Sequence, residues 1–149
     1  MSGGATTRPR CSGVIRRGTP GDLAQVAVIQ AASPEAAQWD VAGYLHYDFR
    51  VSVCGIRVAG FTVSRALVEG ETELLILAVA PEFRRQGVAR KLVESLLAEF
   101  PGVVYLEVRE SNRAARNFYN RLGFQEVSSR SGYYQAPPEA AIVMKFHSC

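Results

Sequence analysis

The sequence predicts a single mixed α/β domain, and three observations carry that expectation. Short, nearly continuous apolar runs recur along the chain, the clearest being Leu74–Val79 and Val103–Val108. Each is followed by a segment with helical spacing: Leu92, Val93, Leu96, Leu97 and Phe100 after the first, Phe118 and Leu122 after the second. Gly and Pro cluster between these segments, at Thr19-Pro20-Gly21, Pro101-Gly102 and Gly123. Strands and helices alternating in this way form a sheet covered by helices.

In order, Val14–Arg17 reads as a short first strand. Thr19 can cap a helix at its N-terminus, Pro20 suits the first helical position, and Asp22 complements the helix dipole; Leu23, Val26, Ala27 and Ile29 carry that helix to about Ala32. Pro34 opens a second helical region that contains Trp39 and runs to about Leu45. From Tyr47 to Ala66 the pattern turns to alternation, predicting two antiparallel strands with their turn near Cys54-Gly55. Val68-Glu69-Gly70-Glu71 makes the next turn, into the strand that ends at Val79. Ser111-Asn112 caps a helix through Leu122, closed by Gly123. Phe124–Ser129 and Ala141–Phe146 are the last strands, joined by a loop holding Tyr133-Tyr134 and Pro137-Pro138.

Composition narrows the function. With 149 residues, 48% of them hydrophobic, the chain can bury an ordinary core. No apolar run approaches the roughly 18 residues of a membrane span. A net charge of +3 with scattered arginines argues against a nucleic-acid binder, which needs a dense basic stripe. Cys11, Cys54 and Cys149 are far apart, and with only His46 and His147 to help they predict no metal site; reduced thiols are expected of them. Residues 1–12 read as a flexible tail and 13–149 as the domain.

The chemistry begins at Arg84-Arg85-Gln86-Gly87-Val88-Ala89, between a strand and an amphipathic helix. Gly87 and the small Ala89 leave room for a ligand against backbone N–H groups that have no partner inside the helix, where the dipole favours negative charge. A diphosphate suits such a place. A second segment runs Leu106-Glu107-Val108-Arg109-Glu110-Ser111-Asn112, through Phe118-Tyr119, to Leu122-Gly123-Phe124.

Together the two segments resemble the GNAT superfamily of N-acetyltransferases. The first matches its acetyl-CoA motif, R/Q-x-x-G-x-G/A, and the second is similar to the later motif of the bacterial ribosomal-protein-alanine N-acetyltransferases (RimI-like). The resemblance implies a mostly antiparallel sheet of about seven strands with about four helices, splayed where acetyl-CoA enters between the strands ending at Val79 and Val108. It implies that backbone N–H groups of Arg85, Gln86, Gly87, Val88 and Ala89 hold the CoA diphosphate, flanked by Arg84 and Arg90. Backbone of Leu77, Ala78 and Val79 would meet the pantetheine arm as an added strand, with the Val79 N–H serving the oxyanion. Asn112 would contact pantetheine, cap the following helix, or do both.

An N-terminal amine, with a pKa of ~8, arrives as an ammonium and must lose a proton before it attacks. Glu107 is the one carboxylate in the apolar run Val103–Val108, a placement expected to favour a base. In the RimI-like family the glutamate at this position is the general base and the tyrosine at Tyr119 the acid that protonates the departing sulfur. Phe118 and Tyr119 cannot face one way on a helix, so one is expected in the core and the other towards the cleft. Tyr133, Tyr134 and Trp39 would line the acceptor side, although Ala37-Gln38-Trp39 departs from the Phe-Pro-Trp that the family often carries there.

The resemblance therefore implies a cytoplasmic, acetyl-CoA-dependent enzyme, monomeric or weakly dimeric. It would acetylate a protein N-terminus, with the alanine of a ribosomal protein as the candidate, and release CoA. Two other readings stand beside it: acetylation of a small-molecule amine or a lysine side chain, and a non-catalytic acyl-CoA sensor. The sensor would not need Glu107 and Tyr119.

Overall fold

Seven strands share one sheet, in the order β1-β2-β3-β4-β5-β7-β6. The computed structural model describes residues 13–135 and 138–148, so the expected N-terminal tail lies outside the described residues. The strands are β1 (Val14–Arg17), β2 (Asp48–Cys54), β3 (Arg57–Ala66), β4 (Glu71–Val79), β5 (Gly102–Arg109), β6 (Gln125–Gln135) and β7 (Pro138–Ser148). The α-helices are α1 (Leu23–Ala31), α2 (Val88–Glu99) and α3 (Arg113–Leu122), with 3-10 turns at Pro20–Asp22, Val41–His46 and Pro81–Phe83. The chain forms two compact units. The first takes the described residues up to Val63 with Ile76–Val93; the second takes Ser64–Leu75 and the described residues from Glu94 on.

In the first unit β1 runs antiparallel to β2, from Val14 opposite Val53 to Arg17 opposite Arg50. The turn before α1 is closed as the residue types predict. The Asp22 carboxylate accepts the Thr19 N–H at 2.8 Å and its hydroxyl at 3.0 Å, and pairs with Arg16 at 2.8 Å. The core gathers Val26, Ile29, Val51 and Val63 around Tyr44, Phe49 and Phe61, whose ring centroids lie 6.0–6.4 Å apart. Rings at that spacing add to plain area burial. Gly60 lets β3 pass under α2: a Cβ there would stand 2.9 Å from the Ala78 carbonyl and 3.2 Å from Leu92.

The second helical region differs from expectation. Only Val41–His46 is helical, as a 3-10 segment capped by Asp40, whose carboxylate accepts from the Ala42 N–H at 3.1 Å. Trp39 precedes it in irregular chain, and its carbonyl takes the Gln30 side-chain amide at 2.7 Å. Pro34 thus follows the end of α1 without opening a new helix. Cys54 corrects another expectation, since it is disulfide-bonded and not a reduced thiol.

In the second unit β4 starts parallel to β5, pairing Glu71 with Val103, Thr72 with Val104 and Glu73 with Tyr105. β7 lies antiparallel to β5 from Gly102–Ser148 to Arg109–Ala141, and β6 lies antiparallel on β7 with two register shifts. Val104, Leu106, Phe124 and Met144 fill the core. Gly102, at φ 119°, is obligatory, because a Cβ would come within 2.2 Å of the Gly70 carbonyl oxygen. β6 is longer than the alternation suggested: Tyr133 and Tyr134 are strand residues, not loop residues, while residues 136–137 lie outside the described residues. The polar run Ser128–Gly132 hid the strand, since β6 is exposed along much of its length.

Candidate functional site

The first group of site residues is built from backbone. Along β4, Leu74, Ile76 and Ala78 are buried while Leu77 and Val79 stand half-buried on the other face, as strict alternation requires. Pro81–Phe83 then turns the chain, with Phe83 buried as its anchor. Arg85 takes a left-handed φ of 62° and Gly87 follows at 80°. Left-handed residues so close together turn successive N–H groups towards a common concavity, the geometry that holds anions. A Cβ built on Gly87 would meet nothing within 4 Å, so there is open space over the loop. Val88, Leu92 and Val93 are buried and fix the head of α2, where unpartnered N–H groups and the dipole favour negative charge.

The side chains of this loop mostly brace it. Arg84 Nε donates to the Val79 carbonyl at 3.2 Å, and Arg84 Nη2 donates to the Ala32 carbonyl at 3.1 Å, at the end of α1. A guanidinium there also meets the negative end of the α1 dipole. The Gln86 amide reaches the Glu82 carbonyl at 3.5 Å. Arg85 and Arg90 are exposed and Ala89 is half-buried. Trp39, the expected acceptor-side aromatic of this unit, is 47% exposed.

The second group is built from side chains. Asn112 caps α3: its Oδ1 accepts from the Ala115 N–H at 3.1 Å, which settles the capping half of its expected role. The Glu139 carboxylate accepts the Ser111 N–H at 2.5 Å and pairs with Arg109 at 3.2 Å, tying down the turn before α3. These hydrogen bonds from Ser111, with Arg109 beside them, hold the Glu139 carboxyl below the usual carboxylate range.

Tyr119 is the buried one of the aromatic pair, 7% exposed, while Phe118 is half-buried. Its ring sits edge-on to Phe118 at 5.0 Å and to Phe124 at 5.3 Å. Burial pushes the phenol well above its ordinary pKa, which keeps the proton in place as a proton donor requires. The helix thus turns the tyrosine inward, so of the pair it is Tyr119 that lies in the core.

Glu107 departs furthest from the apolar setting that its strand suggested. Arg130 on β6 donates to Glu107 Oε1 at 2.6 Å, and the same guanidinium lies 4.3 Å over the Tyr133 ring. Sequence reasoning missed Arg130, and nothing local marks it, since it sits 23 residues from its partner in a polar stretch. Tyr134 stands on β6 opposite Glu139.

The model of the acetyltransferase (GNAT) family matches residues 29–124. A [Ribosomal protein bS18]-alanine N-acetyltransferase of Salmonella typhimurium is 42% identical over 94 residues, 59% of this chain and 63% of that relative. The chain therefore spans somewhat less than two thirds of that relative's length. A protein of the same name from Escherichia coli is 35% identical over 108 residues, 68% of this chain and 72% of the relative. The crystal structure of the ribosomal-protein-S18-alanine N-acetyltransferase from Escherichia coli superposes with a TM-score of 0.79 at 29% identity, covering 91% of this chain and 94% of that one. With a matching family model, a seven-stranded mixed sheet and left-handed residues in the turn before α2, the chain belongs to the acetyltransferase (GNAT) family.

Proposed function

We propose that the chain transfers an acetyl group from acetyl-CoA to the N-terminal α-amine of a protein, with residues 13–149 acting as one catalytic domain. The observation that carries this reading is the left-handed pair Arg85 and Gly87 at the head of α2, with open space over Gly87. Its backbone donors suit a diphosphate without any side chain being spent on it. Similarity to the bS18-alanine N-acetyltransferases supports an N-terminal alanine as the acceptor.

When bound, acetyl-CoA supplies an activated acetyl thioester. The N–H groups of Arg85–Ala89 would hold its diphosphate, and Arg84 keeps the loop shaped through the Val79 and Ala32 carbonyls. Leu77, Ala78 and Val79 offer strand backbone to the pantetheine arm. Arg90, exposed on the first turn of α2, adds positive charge nearby. Glu107 takes a proton from the acceptor ammonium, directly or through water, and so frees the nitrogen lone pair for attack. Tyr119, held protonated by burial, would give a proton to the departing sulfur, and the second proton that the attacking nitrogen sheds on forming the amide would restore the phenol. The Val79 N–H stabilises the oxygen on which charge develops. Tyr133, Tyr134 and Trp39 border the acceptor's path. Ribosomal proteins are made in the cytoplasm, and we place the enzyme there, monomeric or weakly dimeric.

The test is acetyl transfer from labelled acetyl-CoA to a panel of peptides with free N-termini, internal-lysine peptides and small polyamines. Transfer confined to Ala- or Ser-starting peptides is expected. Transfer confined to lysines or small amines would replace the acceptor and keep the enzyme class. Binding of acetyl-CoA without transfer to any amine would leave a sensor.

A further inference from the structure

We infer that Arg130 is a positioning residue that occupies Glu107 until an acceptor amine arrives, so that the acceptor must displace it. The inference rests on Glu107 being the base. Register explains how the two side chains meet. Glu107 stands opposite Val143 on β7, and Val143 stands opposite Ser128 on β6, two residues before Arg130. Side chains in one cross-strand row, and two apart along a strand, share a face. Arg130 thus lies on the Glu107 face, one strand removed, opposite the small, fully buried Ala141, which offers little bulk to obstruct a long side chain.

Three details make the contact a latch. The guanidinium is held at two points, by Glu107 Oε1 at 2.6 Å and by the Tyr133 ring at 4.3 Å. It therefore bridges the base and an aromatic expected to border the acceptor. Exposure is lopsided: the Arg130 side chain is 56% exposed and that of Glu107 only 17%, so the pair opens from the arginine side. β6 also shifts its register on β7 directly after Arg130, between Arg130 and Tyr134. An acceptor ammonium is a cation with N–H donors, as a guanidinium is, and the two compete for the same oxygen.

An ion pair with one partner so exposed is weak, closed over open by a factor of about two to five. The apparent affinity of the acceptor falls by the fraction of molecules in which Glu107 is open, so removing the latch should lower the acceptor KM about three- to sixfold. The experiment uses the full chain with an Ala-starting peptide and compares Arg130→Gln, Arg130→Lys and Glu107→Gln. Arg130→Gln is expected to lower the peptide KM by that factor, with kcat within about twofold of wild type and acetyl-CoA affinity unchanged by calorimetry. Arg130→Lys restores a cation and should return KM towards the wild-type value. A peptide KM unchanged or raised in Arg130→Gln, with Glu107→Gln still crippled, would overturn the latch and leave the base in place. Wild-type turnover in Glu107→Gln would remove the base and the latch with it. Absence of transfer by the wild-type protein would overturn both.

Discussion

The two groups of site residues are made differently. The Arg84–Ala89 loop offers backbone donors shaped by left-handed residues at 85 and 87, and its side chains serve mainly as braces. The candidate groups of the second unit are side chains, and the surroundings of Glu107 come from β5, β6 and β7. A backbone site tolerates most side-chain changes and fails when the backbone is bent or its space is filled. A side-chain site keeps its shape under such changes and fails when one functional group is lost.

That contrast can be broken most sharply at Gly87. Gly87→Glu puts a charged side chain at φ 80° into the open space over the loop, and acetyl-CoA binding should vanish by calorimetry while the fold survives; wild-type affinity would refute the backbone cradle. Glu107→Gln should do the opposite, lowering kcat by about 10²–10⁴-fold with acetyl-CoA affinity intact. A loss of cofactor binding in that variant would mean that the two groups are not separable. Tyr119→Phe comes next, with kcat expected to fall about 10- to 100-fold, since a thiol leaving group needs less help than an alkoxide; a wild-type rate would make the tyrosine packing alone.

Smaller effects sharpen the difference. Gly60→Ala would force a Cβ to within 2.9 Å of the Ala78 carbonyl, costing about 1–3 kcal/mol in urea denaturation and weakening acetyl-CoA binding more than kcat. Equal damage to both would deny the loop its dependence on β3. The mildest effect concerns Glu139, whose carboxyl is held below its ordinary range by Ser111 and Arg109. A depressed pKa contributes stability that is present above the unfolded value and lost as pH falls through the folded one. Amide exchange at Ser111, corrected for intrinsic rate, should therefore quicken below about pH 4, and an unchanged protection factor would show that Glu139 does not hold that turn.

Much of the fold was legible from local pattern. Val14–Arg17 is a strand to the residue, α3 ends at Gly123 with φ 105° as a closing glycine should, and Asn112 caps it. Such features depend on neighbours within a few residues. Elements whose form depends on partners distant in sequence or on non-local pairing were misread: residues 34–40 lack a helix where the Trp39 carbonyl and the Gln38 amide bond to the end of α1, and β6 is polar and exposed yet paired over most of its length with β7.

The candidate site divides along the same line. The Arg84–Val88 turn is largely a property of consecutive residues, since the missing side chain at Gly87 and the helix start are both legible in sequence, whereas the left-handed Arg85 was seen only in the structure. The setting of Glu107 was not so encoded. An apolar strand suggested an apolar neighbourhood, but strand order places β7 and then β6 beside β5, and Arg130 reaches the carboxylate across them. In the same way α3's rotation, set by the Phe124 packing, decided that Tyr119 and not Phe118 turns inward. Local backbone preferences act through the chain, whereas charge pairing and burial act through space, and only the tertiary structure says which distant residues share it.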